Sequence, residues 1–111
     1  MSKPEKLWKL NNESGGLKYA FYCPGCKELH SYIVKMDPKT AEWRTKNGLN
    51  LVEWSFNGDL ERPTFNPSLL YIQTGDRKRC HLFLHDGKIK YCSDCDHELA
   101  GKEIDLQVIP Y

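Results

Sequence analysis

Along this chain the apolar residues fall in short alternating runs broken by turn residues, the pattern of a β protein. Leu17 to Tyr22 is an extended aromatic run that stops at Cys23-Pro24-Gly25-Cys26, and His30-Ser31-Tyr32-Ile33-Val34 resumes it. These segments predict a strand, a tight knuckle and a second strand. Leu49 to Phe56 predicts another strand, ended by the turn dipeptide Asn57-Gly58. An irregular crossing between Pro63 and Pro67 leads to a strand over Leu69 to Thr74, and Ile104, Leu106 and Val108 alternate in a final one. Asp37-Pro38 starts at most a short helical turn, with Asn47-Gly48 as its stop, because the segment has little helical periodicity.

The hairpin around Asp86-Gly87 is the sharpest local prediction. A two-residue turn there sets His85 opposite Lys88, Leu84 opposite Ile89, Phe83 opposite Lys90, Leu82 opposite Tyr91 and His81 opposite Cys92. Alternation then gives one apolar face of Cys80, Leu82, Leu84, Ile89 and Tyr91. The other face carries His81, Phe83, His85, Lys88, Lys90 and Cys92 and is expected to bear the metal chemistry. Trp54, Phe56 and Phe65 are expected to fill the core, with a ligand-facing aromatic ledge as the alternative. The fold class is therefore mainly β: a small antiparallel β domain with zinc knuckles and little helix. Residues 1–16 form a polar arm or edge segment, to which Leu7, Trp8 and Leu10 add an edge strand or core cover. Residues 17–111 form one domain.

At 111 residues the chain can bury a modest core without obligatory staples. Its 16 Lys and Arg against 15 Asp and Glu leave a formal charge of +1, which gives strong nonspecific DNA binding little support. No apolar run is long enough to span a bilayer and the lysine-bearing start is followed by no apolar signal region, so no membrane association is expected. Five cysteines, an odd number in an unsignalled chain, point to a reducing cytoplasm and to metal before disulfides.

Cys23-Pro24-Gly25-Cys26 and Cys92-Ser93-Asp94-Cys95 each have the two-residue spacer of a zinc knuckle. The simplest site is Cys23, Cys26, Cys92 and Cys95. His81, facing Cys92, gives an equally ordinary set of Cys23, Cys26, His81 and Cys95. Cys80 points to the opposite face and is expected to be a core thiol. His30, His85 and His97 are expected at the surface or hydrogen-bonded, although His97, beside Glu98 and after Asp94 and Asp96, can also orient a ligand or border an open metal position. An enzyme built here would use zinc-bound water, with Asp94, Asp96 or Glu98 as proton acceptor and His81 or His97 supporting charge. Arg77-Lys78-Arg79, Lys88 and Lys90 with Phe83 offer a basic strip for nucleic acid.

The chain resembles a family of small, functionally uncharacterised bacterial and bacteriophage proteins. The matching pieces are Cys23-Pro24-Gly25-Cys26, Trp54-Ser55-Phe56-Asn57-Gly58 and Pro63-Thr64-Phe65-Asn66-Pro67-Ser68-Leu69. They continue with Cys80-His81-Leu82-Phe83, Asp86-Gly87-Lys88-Ile89 and Asp94-Cys95-Asp96-His97-Glu98-Leu99-Ala100-Gly101. The resemblance covers residues 17 to 109. It implies an intracellular accessory protein of bacteria or phage, in some cases encoded near ubiquitin-like systems. It favours Cys23, Cys26, Cys80, His81, Cys95 and His97 as the functional constellation. Cys92 departs from it, since relatives often carry an apolar residue there; that favours a site of Cys23, Cys26 and Cys95 completed by His81 or Cys80, with Cys92 kept as an alternative. The expectation is a zinc-stabilised interaction module or adaptor with a protein partner, with contact to nucleic acid as a further option. The alternative is a zinc-dependent hydrolase with an open metal position near His97.

Overall fold

The computed structural model describes residues 5–11, 15–73 and 75–111. Residues 1–4 and 12–14 of the expected arm, and Thr74 at the end of an expected strand, lie outside them. Two antiparallel sheets and one helix make up the described chain. In the first sheet β1 (Trp8–Asn11), β2 (Leu17–Cys23) and β3 (Glu28–Lys35) lie in sequence order. The second runs β4 (Ser55–Phe56), β5 (Phe65–Ile72), β6 (Arg79–His85), β7 (Lys88–Tyr91) and β8 (Glu103–Asp105).

The core lies between the sheets because alternation gives each one apolar face. Phe21 and Tyr32 from the first meet Phe65, Leu82, Leu84, Ile89 and Tyr91 from the second, all buried. Tyr32 stacks on Phe65 at 4.3 Å between ring centroids and Phe56 stacks on Phe65 at 4.6 Å, so the aromatic residues around the irregular crossing do fill the core. Leu7 is buried and β1 pairs with β2, which ties the N-terminal segment to the body.

The β6–β7 register is the one the turn dipeptide dictates: His85 pairs with Lys88, Leu84 with Ile89, Phe83 with Lys90 and Leu82 with Tyr91. Asp86 (φ 51°) and Gly87 (φ 74°) supply the two positive angles of a type I′ turn. Three segments differ from expectation. Pro38–Lys46 is a full helix, α1, capped by the Asp37 carboxylate, which accepts from Thr40 N (3.1 Å) and Thr40 Oγ1 (2.6 Å). It buries no residue, which is why no apolar stripe announces it. The strand expected over Leu49 to Phe56 shrinks to β4. The Leu49 N–H bonds back to the Arg44 carbonyl and the Asn50 carbonyl accepts from Arg44 Nε, so this backbone closes the helix end. The last strand is cut to β8 because Leu106 N–H bonds to the Gly87 carbonyl and Ile109 N–H to Glu5.

The β5–β6 ladder is broken once. It passes from Phe65↔Leu84 to Leu69↔Leu82, so Asn66, Pro67 and Ser68 together face Phe83. Such a bulge bends a strand and re-aims its side chains. Asn66-Pro67 is the described cis peptide bond.

Candidate active site and metal centre

Cys80 and His81 are neighbours on β6, so their side chains leave opposite faces of the sheet. Each belongs to a different cluster. On the inner face the ligand atoms of Cys23, Cys26, Cys80 and His97 all lie within 4.8 Å of one another. Cys23 Sγ is 3.9 Å from Cys80 Sγ, and His97 Nε2 is 3.3 Å from Cys80 Sγ. A tetrahedral zinc with bonds of about 2.3 Å to sulfur and about 2.0 Å to nitrogen has ligand edges of roughly 3.5–3.8 Å. The donor set and its spacing fit that ion.

The electrostatics point the same way. Cys23 is drawn down to about 3, chiefly by the hydrogen bond from Cys80, with His30 and Tyr91 acting in the same direction. Cys80 is pushed up by that same hydrogen bond and by burial, and Cys26 is pushed up to about 11, mainly by burial. Packed sulfurs cannot all ionise unaided, and a divalent cation would offset two of the three negative charges and hold all three as thiolates. Gly25 makes room for the fourth ligand. A Cβ there would stand 2.5–2.7 Å from three atoms of the His97 ring. Leu99 N–H, 3.2 Å from His97 Nδ1, turns Nε2 toward the sulfurs. A metal held on Nε2 would leave the ring proton on Nδ1.

The expected ligands are thus divided. Cys23 and Cys26 are in the cluster, joined by Cys80 and His97 in place of His81, Cys92 and Cys95. The reason is the strand parity itself: the apolar face that carries Cys80 is the one that meets the knuckle. His81 and Cys92 lie on the outer face. Cys95 faces inward but is occupied by the β6 backbone, its Sγ donating to the His81 carbonyl (3.1 Å) and accepting from the His81 N–H (3.2 Å). His30 is buried between Phe21 and Tyr71, its ring centroid 4.0 Å from that of Tyr71, where a surface or hydrogen-bonded residue was expected.

On the outer face the β5 bulge brings Ser68 to His81. Ser68 Oγ is 3.0 Å from His81 Nε2, and His81 Nδ1 is 3.2 and 3.3 Å from the two carboxylate oxygens of Asp94. With the imidazole proton on Nδ1, Asp94 accepts it and Nε2 is free to accept from the serine hydroxyl. This is the arrangement of a nucleophile, a base and an orienting acid. His81 and Ser68 are half-buried and Asp94 is exposed, so the group opens to solvent. The loop after β7 fixes Asp94: Arg79 N–H donates to Asp96 Oδ2 (2.7 Å) and Asp96 N–H to the Arg79 carbonyl (2.9 Å). His81 and Asp94 stand out as site candidates in the sequence, and Ser68 does not. The available signal was the proline-broken strand, in which Ser68 shares the outward parity of Leu70 opposite His81.

The family described as bacterial ubiquitination-like system serine protease (BubE) matches residues 1–92, most of the 111-residue chain. The chain belongs to the BubE family. The BubE match contains Ser68 and His81 and ends two residues before Asp94, so the assignment of the third group rests on geometry alone. No curated protein and no solved structure matches the chain. This BubE-family chain is a compact, mainly β domain with a Cys3His metal-binding cluster, as a small zinc-stabilised interaction module would be. Among the described residues no helix is long and apolar enough to cross a membrane.

Proposed function

We propose that the chain is a zinc-stabilised serine protease in which Ser68 is the nucleophile, His81 the general base and Asp94 the group that orients His81. The observation that carries this reading is the Ser68–His81–Asp94 chain of contacts at 3.0 and 3.2 Å. The family's description as a serine protease supports it. Ser68 Oγ attacks a substrate carbonyl as His81 Nε2 takes its proton. His81 then returns that proton to the leaving amine, and an acyl group remains on Ser68. Water, deprotonated by His81, releases the acyl group and restores the serine. Asp94 keeps the imidazole in the productive tautomer and stabilises the imidazolium.

Zinc held by Cys23, Cys26, Cys80 and His97 would cross-link the knuckle, β6 and the loop after β7. Four protein ligands complete a tetrahedron, so the hydrolytic chemistry is assigned to the serine face. Residues 17–111 form the zinc-binding body, with β1 of the N-terminal segment paired to its edge at β2. The interaction-module reading and the protease reading meet if the module's partner is its substrate. Phe83, its ring 6.4 Å from His81, and Leu70, paired with His81, are exposed apolar residues where a substrate side chain would rest. A protein substrate of a bacterial ubiquitination-like system is the partner class the family description suggests. An intracellular setting, bacterial or phage-borne, suits a chain whose cysteines are all free.

Nucleic acid is less favoured. Lys88 and Lys90 pair across the ladder with Asp105 and Glu103, while Lys78 and Arg79 approach Asp76 and Asp94 at 3.9 and 3.8 Å. The test is covalent labelling with a fluorophosphonate, which traps an activated serine without a known substrate. Labelling should map to Ser68 and vanish in Ser68→Ala and His81→Ala. A folded, zinc-loaded protein that never labels, or that labels equally as Ser68→Ala, overturns the proposal.

A further inference from the structure

The outer face holds a second set of metal donors. The ligand atoms of His81, Cys92 and Asp94 lie within 4.8 Å of one another, a soft thiol, an imidazole and a carboxylate on one face. Cys92 has no part in the hydrolytic steps above. Its backbone closes the loop, donating to the His81 carbonyl (2.8 Å) and accepting from Cys95 and Gly101 (3.3 Å each), which fixes its Cα beside His81. We infer that His81, Cys92 and Asp94 form an inhibitory site for a borderline-soft divalent cation such as zinc, whose binding disables the triad.

The spacing favours this ion. His81 Nδ1 and Asp94 are 3.2–3.3 Å apart, long for a charge-assisted hydrogen bond of about 2.7–2.9 Å. The same gap is the edge of a tetrahedron whose metal–nitrogen and metal–oxygen bonds are about 2.0 Å. Cys92 supplies a third donor and solvent the fourth. Arg79, 3.8 Å from Asp94 Oδ2, is the competing cation, and it is exposed and free to withdraw. The inner cluster is sealed by buried Cys23 and Cys80, whereas this one opens to solvent, so its ion exchanges while the inner ion stays.

The inhibitory effect follows from the histidine tautomer and rests on the protease reading. A metal on Nδ1 displaces the proton that Asp94 accepts. The neutral ring then carries its one proton on Nε2, facing Ser68, and has no lone pair with which to activate the hydroxyl. Asp94 is withdrawn from its orienting role in the same event.

Cobalt(II) titration of the protein already holding zinc in its inner cluster tests the site without reference to activity. One further cobalt per chain should bind with a thiolate charge-transfer band, lost in Cys92→Ala and kept in Cys95→Ala. No second ion, or a band that survives Cys92→Ala, overturns the inference. Fluorophosphonate labelling then tests the consequence, each variant compared with its own rate in chelator-buffered solution free of added metal. Micromolar zinc should suppress labelling of the wild type, and Cys92→Ala should need about tenfold more zinc or beyond. Labelling that continues unchanged with the second site filled overturns the inhibitory role. Absence of labelling under all conditions sinks the protease reading instead, and the cobalt count still decides the site.

Discussion

Gly25→Ala should release the fourth metal ligand and, with it, the catalytic loop. The backbone at Gly25 is outside the positive-φ region, so alanine adds no torsional strain there and only the new methyl matters. That methyl would stand 2.5 Å from His97 Cε1, 2.6 Å from Nδ1 and 2.7 Å from Nε2, against at least 3.4 Å for ordinary contact. The ring has to retreat by about 1 Å, while metal–ligand bonds tolerate roughly 0.2 Å. Structural zinc sites bind with about 10–16 kcal/mol, so losing one ligand of four costs on the order of 3 kcal/mol, or about a hundredfold in affinity. Competition against a chromophoric chelator measures this directly. The decisive control is the double variant with His97→Ala: once the ring is gone, Gly25→Ala should cost almost nothing. Wild-type zinc affinity in Gly25→Ala, or an equal loss with and without His97, refutes the reasoning.

Cys80→Ser should cut zinc retention as severely as Cys23→Ser, whereas Cys95→Ser should retain the ion and lose only its contacts to the His81 backbone; metal analysis after gel filtration separates them. Asp94→Asn should leave the thermal midpoint of the zinc-loaded protein within a few degrees while slowing Ser68 labelling by about 10⁴-fold, the loss seen when an amide replaces the orienting carboxylate of a triad. Asp37→Ala removes the cap of α1 and should lower the urea-unfolding free energy by about 1 kcal/mol with zinc binding unchanged.

The parts of the fold that local chemistry controls were legible in the amino-acid order. Asp86-Gly87 demands a type I′ turn, and from it every pair back to Leu82 and Tyr91 follows. The sorting of Cys80 from His81 also follows from that register. Which face meets the knuckle does not, because it depends on how two separate sheets pack. The paired spacers therefore favoured Cys92 and Cys95, while packing selected Cys80 and His97. Ser68 was hidden for a related reason: its approach to His81 depends on three residues of β5 facing one of β6, a register break that alternation cannot reveal. Helix α1 escaped because capping chemistry at Asp37 and Pro38, with no apolar stripe, holds it.

The adjacency of Cys80 and His81 makes the domain its own safeguard. A slip of one residue in β6 would aim the histidine into the core and the thiol into solvent, spoiling both centres together. A chain with that strand out of register would therefore lose the Cys80 cluster and the Ser68–His81 contact at once. The two faces of one strand thus stand or fall by a single register.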